Sequence, residues 1–155
     1  MMTMEITISK FYSLFFLWVE PLSAIVGAYF AQFDPAMYLQ LTDTASAPTF
    51  NKDVPAATRV SMSQLANLYL LFAINESLVL RASRDRLVWR TLLLGLLIAD
   101  FGHLLTIYPL GITKYYKFWD WNAIDWGNVG FVYLGAIMRI SFLLGFGSQK
   151  RTKRT

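Results

Sequence analysis

The sequence has no cysteine and only one histidine, His103. The absence of cysteine excludes a disulfide framework, thiolate chemistry and zinc–thiolate sites. A single histidine excludes a multi-histidine metal site, so no metal is expected. The chain also lacks a glycine-rich phosphate-binding loop, a Ser–His–Asp nucleophile set and a nucleotide-binding fingerprint. The sequence therefore predicts no cofactor.

Charged residues are scarce. They make up 15% of the 155 residues, whereas hydrophobic residues make up 55%. Soluble domains carry about 25% charged residues, and a bilayer accepts so much apolar surface on the outside of a helix bundle. The net charge is +4, but the basic residues flank apolar segments, so membrane orientation explains them better than nucleic-acid binding. We expect membrane lipid as a partner and no nucleic acid.

Four apolar runs span residues 11–33, 60–80, 87–110 and 126–147. About 20 residues suffice to cross a hydrocarbon core of ~30 Å. The sequence thus predicts an all-α protein, a four-helix transmembrane bundle, in one membrane domain over residues 1–155 with a basic tail at 148–155. Pro21 lies inside the first run and cannot donate to the Leu17 carbonyl, which predicts a kink there.

The basic residues are unevenly divided between the two sides of the predicted bundle. Nine lie with the two termini and the 81–90 connector, and four lie on the opposite side. This bias predicts that both termini are cytoplasmic. Lys153 and Arg151, third and fifth from the end, approximate a cytosolic dibasic retrieval signal, so we expect the endoplasmic reticulum membrane. The alternative is a basic cluster that only contacts anionic headgroups.

Four charged residues interrupt the apolar runs: Glu20, Glu76, Asp100 and Arg139. A carboxylate at the bilayer centre costs at least ~2.5 kcal/mol. The helical rise places Glu20, Asp100 and Arg139 about 12 to 15 Å from the cytoplasmic side. The same rule places His103 and Asn67 near 20 Å, so groups from all four helices are expected to meet near one level. Glu76 is shallower, about 7 Å deep, where it reaches either the interface or Arg139.

Asp100 and His103 are spaced i, i+3 and share one face of the third helix. A carboxyl group in an apolar site tends to retain its proton, and a neighbouring histidine can relay it. Asp100, His103 and Glu20 are therefore the candidate catalytic residues, and Glu76 and Arg139 are candidate substrate-binding residues. The alternative is structural: Arg139 pairs with Glu20 or Asp100 to hold helices together, and Glu76 extends to the cytoplasmic face.

The second run carries a polar stripe on an otherwise apolar helix. Gln64, Asn67 and Asn75 fall within about 80° of arc at 100° per residue. In the functional interpretation Asn67 and Asn75 are further substrate-binding residues and orient the acid. In the structural interpretation they form hydrogen bonds between helices.

Four stretches of the chain resemble a family of small fungal integral membrane proteins described only as a domain of unknown function. They are VEPLSAIVGAYFA, QLANLYLLFAINESLVLR, VWRTLLLGLLIADFGHL and WNAIDWGNVGFVYLGAIMRISFLLG. The resemblance implies a fungal source and a four-helix membrane fold but no activity. A looser likeness in architecture links the chain to the emopamil-binding group, which includes sterol isomerases, and to small membrane terpene cyclases. These proteins use intramembrane acidic groups.

Two hypotheses about function follow. The first is an acid/base isomerase or cyclase that binds a hydrophobic terpenoid or sterol-like substrate within the bundle. The alternative is a non-catalytic lipid- or sterol-binding protein, or an accessory subunit of a membrane complex. A third possibility, ion or proton transport, requires an oligomer because four helices make a narrow bundle. Association with further copies of the chain is thus another expected kind of partner.

Overall fold

The computed structural model describes residues 8–49 and 53–147, and this part of the chain contains helices and no strand. Four long helices are α1 (Lys10–Phe33), α3 (Ala56–Ala82), α4 (Arg86–Leu110) and α5 (Ala123–Leu143). A short helix, α2 (Pro35–Thr42), follows α1 directly. The four long helices are each long and apolar enough to cross a membrane. The prediction of an all-α, four-helix transmembrane fold is therefore confirmed. The basic tail at 148–155 lies outside the described residues.

Several helices begin at a polar side chain that accepts an otherwise unsatisfied backbone N–H group, whereas α3 begins after Pro55 and has no side-chain cap. Asp34 begins α2 and accepts from the Met37 amide at 3.1 Å. Asp85 begins α4 and accepts from the Leu87 amide at 2.7 Å. Asn122 begins α5 in a reciprocal capping box with Asp125. Polar residues in the connectors between the apolar runs therefore set where these helices begin.

Three of the four long helices contain a five-residue π-helical segment, in which each backbone bond spans five residues. These segments are Phe15–Val19 in α1, Asn75–Val79 in α3 and Trp126–Gly130 in α5. Each one inserts an extra residue into the helical turn and so rotates the remainder of the helix. Such segments are rare and frequently lie at functional sites.

The π-helical segment of α1 accommodates the proline inside this helix. The Glu20 amide donates to the Phe15 carbonyl, and Pro21, the next residue, has no amide hydrogen. The Leu17 carbonyl lies 3.5 Å from Arg81 Nη2 at the end of α3. A π-helical segment thus ends two residues before Pro21, and the kink that the sequence predicts there stays a prediction.

The bundle is built from two helix pairs, because α1 packs mainly against α3 and α4 packs mainly against α5. Two buried apolar clusters lie at opposite ends. The cluster near the chain termini contains Phe16, Leu80 and Trp89 with their neighbours. The cluster at the other end centres on Ala28 and Ala66. On both α1 and α3 the stretch between these two clusters carries a buried carboxyl group.

Candidate functional site

Arg139 is the centre of a buried cluster to which each of the four long helices contributes one charged residue. Its Nη1 donates to Asp100 Oδ2 at 2.8 Å. Its Nη2 donates to Glu20 Oε1 at 2.7 Å and to Glu76 Oε1 at 2.9 Å. We call Glu20, Glu76, Asp100 and Arg139 the charge cluster. A single guanidinium therefore connects α1, α3 and α4 to α5.

Local irregularities of the backbone accompany the charge cluster. Glu20 immediately follows the π-helical segment of α1, and Glu76 lies inside the π-helical segment of α3. Gly135 lies one turn before Arg139 and leaves the space that the ion pairs occupy. A Cβ atom at this position would lie 2.6 Å from Arg139 Nη1 and 2.8 Å from Glu20 Oε1. Glycine is thus the residue that fits there.

The charge cluster is sealed from the surroundings of the protein. Arg139 and Glu76 are 0% exposed, Glu20 is 5% exposed and Asp100 is 6% exposed. The rings of Phe16 and Phe72 lie 5.8 and 5.3 Å from Arg139 Cζ, close enough for cation–π attraction. Two open grooves, one along α4 and one between α1 and α3, are lined by other residues.

The hydrogen bonds within the charge cluster leave several atoms unsatisfied. Glu20 Oε2, Glu76 Oε2 and Arg139 Nε are buried and have no partner in the described part of the chain. The composition is also unbalanced, since three carboxyl groups face one guanidinium. Buried polar atoms are nearly always hydrogen-bonded, and buried charges are usually balanced by their partners. The charge cluster meets neither condition.

The charge cluster combines residues that the sequence analysis named as candidate catalytic residues with residues that it named as candidate substrate-binding residues. Glu20 and Asp100, proposed as catalytic, share Arg139 with Glu76. The alternative in which Glu76 extends to the cytoplasmic face is wrong, because Glu76 is fully buried. His103 is separate from Asp100 in its contacts: its Nε2 lies 3.0 Å from the Asn128 carbonyl oxygen. That carbonyl belongs to the π-helical segment of α5.

The polar stripe of α3 does not join the charge cluster. Gln64 and Asn67 are exposed, and Asn75 is half-buried. No hydrogen bond of these three side chains occurs within residues 8–49 and 53–147. Asn67 lies nine residues before Glu76, about 13 Å along the helix, so it does not reach the acids. The substrate-binding role predicted for Asn67 and Asn75 stays a prediction.

A second polar group, which the sequence reasoning missed, lies toward the opposite end of the bundle. Asn128 Nδ2 donates to the Tyr38 hydroxyl at 3.1 Å, and the hydroxyls of Tyr38 and Tyr69 are 2.9 Å apart. The Tyr69 hydroxyl donates to Asn128 Oδ1 at 3.2 Å, which closes a ring of three bonds. We call these residues the tyrosine cluster. One feature of the sequence could have predicted it. Tyr69 shares a helix face with Ala66 and Ala73, which are buried, so its hydroxyl group could be expected to need a polar partner inside the bundle.

Four apolar helices, a ring of exposed apolar side chains and a charge cluster at the centre define a polytopic membrane protein. Residues 5–149 match a family described as a domain of unknown function, DUF7704. The chain therefore belongs to this family. No curated protein and no solved structure matches it. The predicted resemblance to a domain of unknown function is confirmed, whereas the fungal source and the likeness to the emopamil-binding group stay predictions.

Proposed function

We propose that this protein is an intramembrane acid–base enzyme, an isomerase or cyclase that acts on a terpenoid or sterol-like substrate. The observation that carries the proposal is the excess of carboxyl groups in the charge cluster. Fully ionised, the four residues would have a net charge of −2, which is costly in an apolar interior. Two retained protons make the cluster neutral. A protonated carboxyl in an apolar site is the acid that such a reaction needs.

The reaction balances without a cofactor. The O–H bond of a protonated carboxyl breaks as its proton forms a C–H bond at one carbon of a substrate double bond. The adjacent carbon becomes cationic and, in a cyclase, is attacked by a second double bond. Loss of a proton from a neighbouring carbon to a carboxylate forms the product and restores the acid.

The residues of the charge cluster have different parts in this scheme. Glu20 and Glu76 each keep one oxygen without a hydrogen-bond partner in the described residues, and we assign the transferable proton to one of these oxygens. Arg139 holds the three carboxyls in position through their other oxygens. The rings of Phe16 and Phe72 stabilise positive charge by cation–π attraction. His103 lies one turn from Asp100 on α4 and is the candidate for returning a proton.

Solvent deuterium tests the proposal without knowledge of the substrate. The purified full-length protein is incubated in D2O with a total apolar lipid extract, and the lipids are analysed by mass spectrometry. We expect protein-dependent deuterium in one lipid class, because the transferred proton exchanges with solvent. Asp100→Asn and Glu76→Gln should abolish incorporation while the protein stays folded. Asp120→Asn, at an exposed position in the connector before α5, is the matched control and should keep it.

A second candidate function is non-catalytic lipid or sterol binding, or service as an accessory subunit. The observation that favours it is the seal around the charge cluster, together with an open groove of about 360 Å³ between α1 and α3. Absence of deuterium from every lipid with the wild-type protein would reject the enzyme and leave this candidate. Unfolding of the Asp100→Asn variant would likewise assign the cluster a structural role.

Location and orientation also belong to the proposal. We place the protein in the endoplasmic reticulum membrane with both termini in the cytoplasm, on the basis of the basic residues at the chain ends. A glycosylation acceptor added after Thr155 should stay unmodified. Changing Arg151 and Lys153 to serine should release a tagged protein to the cell surface, and unchanged staining would reject the retrieval signal.

A further inference from the structure

The exposed side of α3 has the repeat of a helix-packing interface, and one residue of this side, Asn67, also lines the rim of the groove between α1 and α3. Val60, Gln64, Asn67, Leu71 and Ile74 are all exposed, and they alternate at spacings of four and three residues. This is the spacing of the a and d positions that form the contact line of a left-handed coiled coil. We call these five residues the α3 seam. It continues through almost the whole α-helical part of α3, from Ala56 to Ile74.

Two amide side chains of the α3 seam fall within the candidate membrane span of α3. Asn67 is about 17 Å from Ala56 and about 22 Å from Ala82 along the helix axis, so it lies near the middle of α3. Gln64 is one turn away on the same line. A hydrocarbon core of ~30 Å encloses both positions. From the middle of the helix the short Asn67 side chain does not reach the headgroups, and Gln64 lies about 12 Å from Ala56 along the axis, one turn nearer that end.

Neither amide has a hydrogen-bond partner within the described part of the chain. An unpaired amide in hydrocarbon costs several kcal/mol, because lipid tails supply no donor or acceptor. The exposed faces of α4 and α5 differ, since prominent exposed residues there, such as Ile98, Leu105 and Ile137, are apolar. Lipid tails can cover those apolar faces without leaving a polar group unpaired. The α3 seam requires a partner with polar groups at the same depth.

We propose that the α3 seam binds the α3 seam of a second copy of this chain in a parallel, two-fold symmetric dimer. Two copies are inserted with the same orientation, so their α3 helices are parallel and equal in depth. A two-fold axis along the membrane normal then places each seam residue opposite its own counterpart. An amide carries both a donor and an acceptor. Asn67 therefore pairs with the partner's Asn67, and Gln64 pairs with the partner's Gln64.

The apolar members of the α3 seam complete this match. Val60, Leu71 and Ile74 form layers on either side of the amides, as apolar residues do in parallel coiled coils. A polar residue at a core position of such an interface specifies the register and the number of chains at some cost in stability, and the α3 seam has two such layers. A different membrane protein would need its own amides at the same two depths. A second copy has them by identity, which is why self-association is the proposal.

Disulfide cross-linking of the full-length protein in its native membrane tests the dimer. The sequence contains no cysteine, so single-cysteine variants have no background. Leu71→Cys and Ile74→Cys place the thiol in the seam. Ile98→Cys on α4 and Ile137→Cys on α5 are exposed controls outside it. We expect rapid copper-catalysed cross-linking to a dimer for the two seam variants and slow cross-linking for both controls.

A second measurement separates amide pairing from apolar contact. The double variant Gln64→Leu, Asn67→Leu should weaken dimerisation, measured by energy transfer in lipid vesicles, about fivefold to thirtyfold per lost hydrogen bond. Asn67→Gln keeps an amide at this depth and should retain most of the affinity. Equal cross-linking rates for seam and control positions would overturn the proposal. So would undiminished dimerisation of the double variant, or a cross-linked product that contains a different protein.

Discussion

The charge cluster and the tyrosine cluster are two polar cores inside one apolar bundle, and they differ in how completely they are satisfied. In the tyrosine cluster the three side chains donate and accept around a closed ring. This cluster is neutral, joins α2, α3 and α5, and needs nothing further. The charge cluster joins all four long helices but keeps unpaired oxygens and excess acid. Saturation is typical of a structural contact, whereas the unpaired atoms and excess acid of the charge cluster are what the proposed reaction would use.

Removal of the guanidinium should have the largest effect on stability. Arg139→Met leaves three buried carboxyls without their cation, and we expect a loss of about 3 to 5 kcal/mol of unfolding free energy. The destabilisation should shrink as the pH falls, because protonation removes the uncompensated negative charge. Denaturant titration in detergent at several pH values measures both effects. A loss below about 1 kcal/mol would contradict the view that Arg139 holds the cluster together.

Insertion of one methyl group beside the ion pairs tests the same region without a change of charge. Gly135→Ala brings Cβ to within 2.6 Å of Arg139 Nη1, so buried charged groups must move. We expect a cost of about 1 to 3 kcal/mol, the usual range for overpacking. Gly95→Ala is the matched control because a Cβ there meets nothing within 4 Å. The control should be neutral or slightly stabilising, since alanine favours helix.

The sequence was sufficient for the fold and for the depth of the charged residues. Apolar runs of transmembrane length define the four helices, and the rise per residue brought Glu20, Asp100 and Arg139 toward one level. A charge inside an apolar run is so costly that its position alone marks a functional or structural site. For Glu76 the sequence allowed two positions, and only the packed bundle distinguishes burial on Arg139 from exposure.

The sequence could not predict which side chains bind each other inside the bundle. The i, i+3 spacing correctly places Asp100 and His103 on one side of α4, yet Asp100 binds Arg139 and His103 binds the Asn128 carbonyl. Such contacts depend on how neighbouring helices are rotated. The three π-helical segments each change that rotation by one residue, and only Pro21 signalled one of them. The tyrosine cluster was missed because a tyrosine in an apolar run resembles an ordinary apolar ring.

Loss of one hydroxyl from the tyrosine cluster should have an intermediate effect. Tyr69→Phe breaks the ring and leaves Asn128 Oδ1 with fewer donors, at a cost of about 1 kcal/mol. The exposed Tyr29, whose hydroxyl forms no hydrogen bond in the described residues, provides the control variant Tyr29→Phe, which should change stability by less than about 0.5 kcal/mol. Deuterium incorporation should be unaffected by Tyr69→Phe. Loss of incorporation in a stable Tyr69→Phe protein would contradict the division between the two clusters.

The smallest effect on stability should come from Glu76→Gln, and it separates the two cores most sharply. If Glu76 is protonated on Oε2, glutamine reproduces its shape and its neutral charge, and the carbonyl oxygen still accepts from Arg139 Nη2. We therefore expect a change of less than about 1 kcal/mol in unfolding free energy, in contrast to the 3 to 5 kcal/mol typical of a broken buried ion pair. The same variant has no transferable proton, so deuterium incorporation should disappear. Chemical denaturation and the D2O assay on one preparation measure both quantities. A large loss of stability would show that Glu76 is an ionised partner of Arg139, and the charge cluster would then be a structural contact like the tyrosine cluster.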